Sequence, residues 1–285
     1  MSFLTNWIFW TVLYLISAVL FAQLFKKVNR SMKNPTALTI LLELFTAIFS
    51  LIFIFIFPIK IPAQLSTYII LLLVIILYAV TDRLNIEARY GLEPSTFSMM
   101  KQLSTVFIIV FGIFILKEEI IINKIIGAIL IIIANVLLAY NKGKFQINKY
   151  FIMSIISNIL FAVAMMININ ISDNFNIAIY TFITVFFPSI ILIIFSRIKL
   201  RELKEEFQLY NKQKFLIVAC AWCLMLISSV KAYEFGNIVI VASALALTSI
   251  LNSFVELIFN RNKKVFIKKL IISVLIIVGI ILVKI

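Results

Sequence analysis

Histidine is absent from the 285 residues of this chain. That removes the commonest general base and the commonest metal ligand together. Cysteine occurs twice, as Cys220 and Cys223 in Cys-Ala-Trp-Cys within an apolar run. A thiol relay needs partner cysteines to pass electrons on, and there are none, so the pair is read as two small residues filling a helix face. Charge is scarce: 13% of residues are charged and only 12 are acidic, against 64% hydrophobic and a mean hydropathy of +1.15. So little polar surface cannot cover a globule in water, and the solvent for this chain is lipid. Paired carboxylates at enzyme-like spacing and a glycine-rich phosphate loop are also lacking, which weakens any catalytic reading.

What remains is long apolar runs. About 20 apolar residues cross a bilayer core, and ten such spans are predicted, over 3–25, 37–57, 67–88, 94–116, 121–140, 150–170, 174–196, 214–235, 238–260 and 266–284. The first has no small-residue cleavage site after it and is read as a retained span. Pro35 and Pro94 stand near helix starts, where a missing N–H costs little. Pro188 lies inside the seventh span and predicts a kink. The net charge of +14 would point to nucleic acid in a soluble protein. Here the basic residues cluster between apolar spans, as lysines do when they orient a membrane protein, and no nucleic-acid partner is expected. The odd-numbered connections hold twenty lysines and arginines and the even-numbered side holds five. That imbalance puts the odd connections in the cytoplasm and both termini outside.

The stretch from Pro94 to Tyr140 joins two apolar spans through Lys117-Glu118-Glu119. Its segment KIIGAILIII, from Lys124, is echoed as KLIISVLIIV from Lys269, 145 residues later. The chain therefore reads as a unit, 1–145, and its repeat, 146–285. Five spans per unit is an odd number, so the second unit enters the membrane upside down. The expected fold is an all-α integral membrane protein, ten transmembrane helices as two inverted five-helix repeats. Inverted repeats are a common way to build an alternating-access carrier, with substrate near the midplane.

Pro94-Ser95-Thr96 opens the fourth span, Lys101-Gln102-Leu103-Ser104 lies within it, and Leu116-Lys117-Glu118-Glu119 closes it before the fifth span, which contains Gly127. In the second half Ala244-Leu245-Ala246-Leu247-Thr248-Ser249 leads into the ninth span and Gly279 sits in the tenth, while the acidic closing turn has become Asn260-Arg261-Asn262-Lys263. In these features the chain resembles the drug/metabolite transporter superfamily, in its ten-helix EamA-like branch. The resemblance implies export or exchange of small metabolites, amino acids, drugs or nucleotide sugars by secondary transport. Members of that branch usually keep both termini in the cytoplasm, which the charge count reverses here.

Ionisable residues within a span cost about 2.5–3.5 kcal/mol on insertion scales and usually face a cavity or a partner. Glu43, Thr46 and Ser50 form one polar stripe, and Lys101, Ser104 and Thr105 another. Glu43 and Lys101 lie about seven residues into spans that start on the same side, at roughly 10 Å depth, which predicts either an ion pair or a shared substrate site. Ser249, Asn252, Ser253 and Glu256 recur at i, i+3, i+4, i+7 in the ninth span, and Ser249 stands 145 residues after Ser104. Asp82 and Arg83 are read as a local interfacial pair, Lys231 and Glu234 as a structural pair, and Trp7 and Trp10 as interface anchors.

The candidate substrate-binding set is thus Glu43, Lys101, Ser104, Thr105, Ser249, Asn252, Ser253 and Glu256, with Lys101 offering its charge to a carboxylate or phosphate. The expected function is a non-enzymatic, multi-pass secondary transporter of the cell membrane, an exporter or exchanger of small metabolites such as amino acids or amphipathic drugs. A lipid-linked carrier flippase and a membrane-embedded transferase stand as alternatives. No cofactor or metal is expected; the partners are a small-molecule substrate and the lipid bilayer, and a homodimer is left open.

Overall fold

The computed structural model describes residues 6–57, 60, 62, 64–115, 121–141, 144–145, 147–168, 175–236, 241 and 244–284. Its helices are α1 (Trp7–Val28), α2 (Pro35–Ile52), α3 (Leu65–Gly91), α4 (Pro94–Met100), α5 (Leu103–Ile115), α6 (Ile122–Ala139), α7 (Lys149–Asn168), α8 (Ile177–Ser196), α9 (Leu200–Gln208), α10 (Lys212–Phe235), α11 (Thr248–Asn260) and α12 (Lys263–Lys284). A two-residue antiparallel bridge, Tyr140–Asn141 with Lys144–Phe145, joins α6 to α7. Eight helical stretches are long and apolar enough to cross a membrane, α4 and α5 counting as one. Two shorter apolar helices, Ile122–Leu138 and Ala244–Phe259, fall where the fifth and ninth spans are expected. The predicted Lys117-Glu118-Glu119 turn lies outside the described residues.

Asparagine starts many of these helices. The side-chain oxygens of Asn6, Asn34, Asn148, Asn176, Asn211 and Asn262 each accept a backbone N–H of the first turn, at 2.8–3.2 Å. An N-cap of this kind satisfies donors that have no partner in the helix itself. The caps are periodic as well: Asn148 follows Asn6, and Asn176 follows Asn34, by the same 142 residues. α2 has a further acceptor, because the buried carboxylate of Glu206 on α9 takes the N–H groups of Lys33 (3.1 Å) and Asn34 (3.0 Å). Tyr210 donates its hydroxyl to the same carboxylate. Burial, followed by that neighbour, pushes the Tyr210 phenol well above its ordinary value. The amphipathic α9 is thereby clamped over the start of α2, with Phe207 stacked on Phe45.

Every major helix pairing joins one half of the chain to the other. α1 packs on α10, α2 on α8, α3 on α7, α6 on α12, and α4 on α11. Exchanging the two halves leaves this set of partners unchanged. Lipid supplies no hydrophobic force between helices, so such pairs rest on close packing of small residues and interlocking aromatics. Ser17, Ala18 and Ala22 on α1 are buried, as are Ala219, Ala221 and Cys223 on α10, and Phe21 lies against Trp222 at 5.7 Å between centroids. Both cysteines are free thiols. α8 runs as helix through Pro188. α3 continues to Gly91 rather than ending near 88, which brings Arg83 and Arg89 inside the helix and out of the connection to which the charge count assigned them.

The α6–α12 contact is reciprocal at its centre. A methyl group on Gly127 would run into the Gly279 carbonyl and Val283, and one on Gly279 would come 2.8 Å from both the Gly127 carbonyl and Ile131. Gly279 follows Gly127 by 152 residues, seven more than the 145 of the sequence echo. Seven residues are close to two helical turns, so both registers keep the same face. Gly127→Ala and Gly279→Ala are each expected to destabilise the purified protein by about 1–3 kcal/mol. A lowered thermal midpoint in detergent, against an unchanged one for Ala at exposed Ile129, is the check.

Candidate functional site

The fourth span, predicted as one helix, is broken at its polar residue. The Ser104 N–H, which an unbroken helix would give to Met100, bonds the Lys101 carbonyl at 3.2 Å, and the Gln102 and Thr105 N–H groups make i−3 bonds to Met99 and Gln102 at 3.1 Å. Lys101 has ψ −26°, in the 3₁₀ range. Met100 has therefore lost its helical donor, and Asn158 of α7 replaces it, Nδ2 to carbonyl at 2.9 Å. An unpaired carbonyl at this depth would cost several kcal/mol, roughly. The ninth span carries the same device. Leu247, 145 residues after Gln102, has ψ −18°, and its N–H reaches the Ala244 carbonyl at 3.1 Å. The serines match too: the Ser104 hydroxyl donates to the Lys101 carbonyl (2.7 Å) and the Ser249 hydroxyl to the Ala246 carbonyl (2.9 Å).

Charges gather beside the first break. Lys101 Nζ sits 3.8 Å from the Phe161 ring centroid of α7. On α3, Asp82 and Arg89 are seven residues apart and so share a face. The Arg89 guanidinium lies 3.9 Å from the Phe97 centroid and 4.7 Å from that of Phe21. Asp82 is the acid whose charge bears on both cations. Glu43, fully buried in α2, also lies within reach of Asp82, but neither carboxyl oxygen has a hydrogen-bond partner. Counted from the helix ends nearest them, Glu43, Asp82 and Lys101 lie roughly 10–14 Å deep.

The predicted residues divide into two groups. Lys101, Ser104 and Thr105 lie at or beside the first break, and Glu43 lies deep in the bundle near Asp82. The Glu43–Lys101 ion pair is not formed: Lys101 rests on Phe161 instead. The predicted Asp82–Arg83 pair is not formed either, since Arg83 bonds Thr36 and Glu87, each at 2.6 Å, on the other side of the helix. Ser249, Ser253 and Asn252 line the buried face of α11. Ser253 bonds back to the Ser249 carbonyl, while Asn252 accepts from Gln23 of α1 at 2.9 Å and keeps a buried amide without an acceptor. Thr248, at the second break, donates its hydroxyl to the Leu245 carbonyl at 2.7 Å. Glu256 lies apart, nearer the end of the bundle. It accepts the Ser95 N–H (2.8 Å) and hydroxyl (2.5 Å) at the start of α4 and pairs with Lys269 at 2.6 Å. Beside it Lys26 donates to the Tyr90 and Leu92 carbonyls where α3 ends, at 3.1 and 2.9 Å. These contacts tie α1, α3, α4, α11 and α12 together at the lysine-rich end. At the opposite end Lys231 and Glu234 pair at 2.5 Å, as expected. Trp10 is buried against Phe57 rather than anchored in the interface.

Arg89, Asn158 and Gln23 carry more of this arrangement than the sequence reading assigned them. The spacing of Asp82 and Arg89 was the available signal for the first; nothing local marks Gln23.

Comparison with known proteins agrees with this layout. The family model of the EamA-like transporters matches residues 5–140. A solved crystal structure matches with a TM-score of 0.60 and 10% sequence identity, covering 93% of each chain, so the fold is shared across both halves. No curated protein matches. Replacement of Asn158 by leucine, which leaves the Met100 carbonyl without a donor, is expected to cost about 1–3 kcal/mol. Thermal unfolding of the purified variant beside Asn158→Gln measures it; equal midpoints for Asn158→Leu and the parent would refute this account of the break.

Proposed function

From the match of the EamA-like transporter family model to residues 5–140, we propose that the chain is a member of that family, within the drug/metabolite transporter superfamily, and a secondary transporter of a small metabolite, exporting or exchanging it by alternating access. Ten helices cross the cell membrane as two inverted five-helix repeats, 1–145 and 146–285. The observation that carries the reading is the duplicated break. Discontinuous helices at corresponding positions of two halves are where transporters of inverted-repeat design bind substrate. Irregular backbone at membrane depth is tolerated only against protein or a wet cavity, and here it coincides with buried polar groups that have spare bonding capacity. The substrate site lies between the breaks, bounded by Lys101, Ser104 and Thr105 on one side and by Ser249, Asn252 and Ser253 on the other.

The charge pattern supports an orientation with the Lys26–Lys269 end in the cytoplasm. With Arg83 and Arg89 assigned to α3, the imbalance still stands at eighteen to five. In this conformation that end is held shut by Glu256 with Ser95 and Lys269, and by Lys26 on the end of α3. Alternating access requires these contacts to part once per cycle. Glu256 is in this reading a gate residue rather than a substrate ligand.

The substrate is found by comparing metabolites released by cells with and without the protein. Uptake of that compound into liposomes then tests the cycle. In a chain with Cys220 and Cys223 replaced by alanine, linking Ser95→Cys to Glu256→Cys with a short reducible cross-linker is expected to stop uptake, and reduction to restore it. Undiminished uptake by the cross-linked protein would exclude opening at this end.

A further inference from the structure

Arg89, on α3, and Lys101, at the break of the fourth span, resemble Lys27 in lying over an aromatic ring without an ion pair among the described residues. Among the described residues neither makes an ion pair within 4 Å, whereas Arg83, Lys149, Arg201, Lys231 and Lys269 all do. Instead each lies over an aromatic face: Arg89 over Phe97 and Phe21, Lys101 over Phe161. Such contacts return only a small part of what it costs to take an ion out of water. A ring face also takes up none of the cation's N–H donors, so the forks stay free to bond.

The two cations converge. Arg89 lies on Phe97, and Lys101 follows Phe97 by four residues, one turn further along the same face of the broken span. Asp82 stands about two turns before Arg89 on the same face of α3, and its charge bears on both cations. Two positive charges thus stand against one negative charge. Glu43 does not redress the balance, since its oxygens accept from no donor and it pairs with neither cation. The surroundings are Phe21, Phe97 and Phe161, apolar rings from α1, α4 and α7, of which α4 touches both of the others.

We propose that this site selects an organic anion, with its carboxylate or phosphate oxygens taken by Arg89 and Lys101 and its apolar body lying against the phenylalanine rings. A planar guanidinium grips such oxygens two at a time and a lysine ammonium adds a point charge beside it. Asp82 holds the two cations in position between binding events and is the group the incoming oxyanion competes with. This rests on the transport reading for its biological meaning but not for its test, because binding and transport are read separately.

The binding arm uses the full chain in detergent and four probes that share one ring: benzoate, phenyl phosphate, benzamide and benzylamine, at matched ionic strength. Benzoate or phenyl phosphate is expected to raise the thermal midpoint, while the neutral amide and the cationic amine do not. The stronger of the two identifies the oxyanion. Arg89→Gln and Lys101→Gln should each raise the concentration needed at least tenfold, and Arg89→Lys and Lys101→Arg should restore part of it. An anion shift that survives both glutamine variants overturns the proposal, as does a shift by benzamide or benzylamine equal to that of the anions, or no shift by any probe. The transport arm offers liposomes a polar metabolite extract split by ion exchange into anionic, neutral and cationic fractions. Uptake only from the anionic fraction supports the proposal. Uptake from the neutral or cationic fraction overturns it while leaving the transporter reading intact. Uptake from none, with the anion shift present, removes the transporter reading alone.

Discussion

A backbone carbonyl surrounded by hydrocarbon has to find its donor within the protein, and this architecture turns on one such bond. Tightening the fourth span at Lys101 takes the Ser104 N–H away from Met100. Asn158, from the other half of the chain, supplies the replacement. The bond does two things at once: it permits irregular backbone at depth, and it fastens α7 to the broken helix. Without a donor from outside, the span would regain helical pairing and Lys101 would be carried round with it. The serine back-bonds at Lys101 and Ala246 show the same local economy in both halves.

The halves are interleaved rather than set side by side. Each major helix pairs with a helix of the opposite half, so no half has a core that is its own. Between α6 and α12 the contact has shrunk to two glycines facing each other's carbonyls. Such interfaces offer discrete packings rather than gradual sliding, because side chains at crystal-like density must clear one another before they re-engage. That is the property a carrier needs if it is to face one side or the other. The lysine-rich end carries the contacts that the proposed cycle would have to part, with Glu256 bonded across three helices and Lys26 holding the end of α3.

Polarity inside the bundle is unevenly satisfied. Several serines and threonines, among them Ser104, Ser249 and Ser253, spend their hydroxyls on carbonyls of their own helix, which costs little. Asn252, Asn158 and Glu43 keep buried atoms without partners, and Arg89 and Lys101 keep their donors on aromatic faces. Buried groups of this kind are expensive to retain. They lie around the breaks, where function explains their cost better than packing does.

The linear chain was enough to establish the solvent, the approximate limits of the eight long apolar helices, and the polar stripes, because hydropathy and helical period act over a few residues at a time. It also singled out Lys101, Ser104 and Thr105 against a greasy background and, through the 145-residue echo, Ser249 in the second half, but it read both spans as unbroken helices. It could not decide partners. Glu43 and Lys101 match in depth but not in facing, and Arg89, counted as a loop charge, is drawn inside because α3 runs on to Gly91. Which residues lie at one height follows from distance along the helix. Which of them meet follows from how each helix is turned about its axis, and that rotation is set only when Asn158 reaches Met100 and Gly127 meets Gly279.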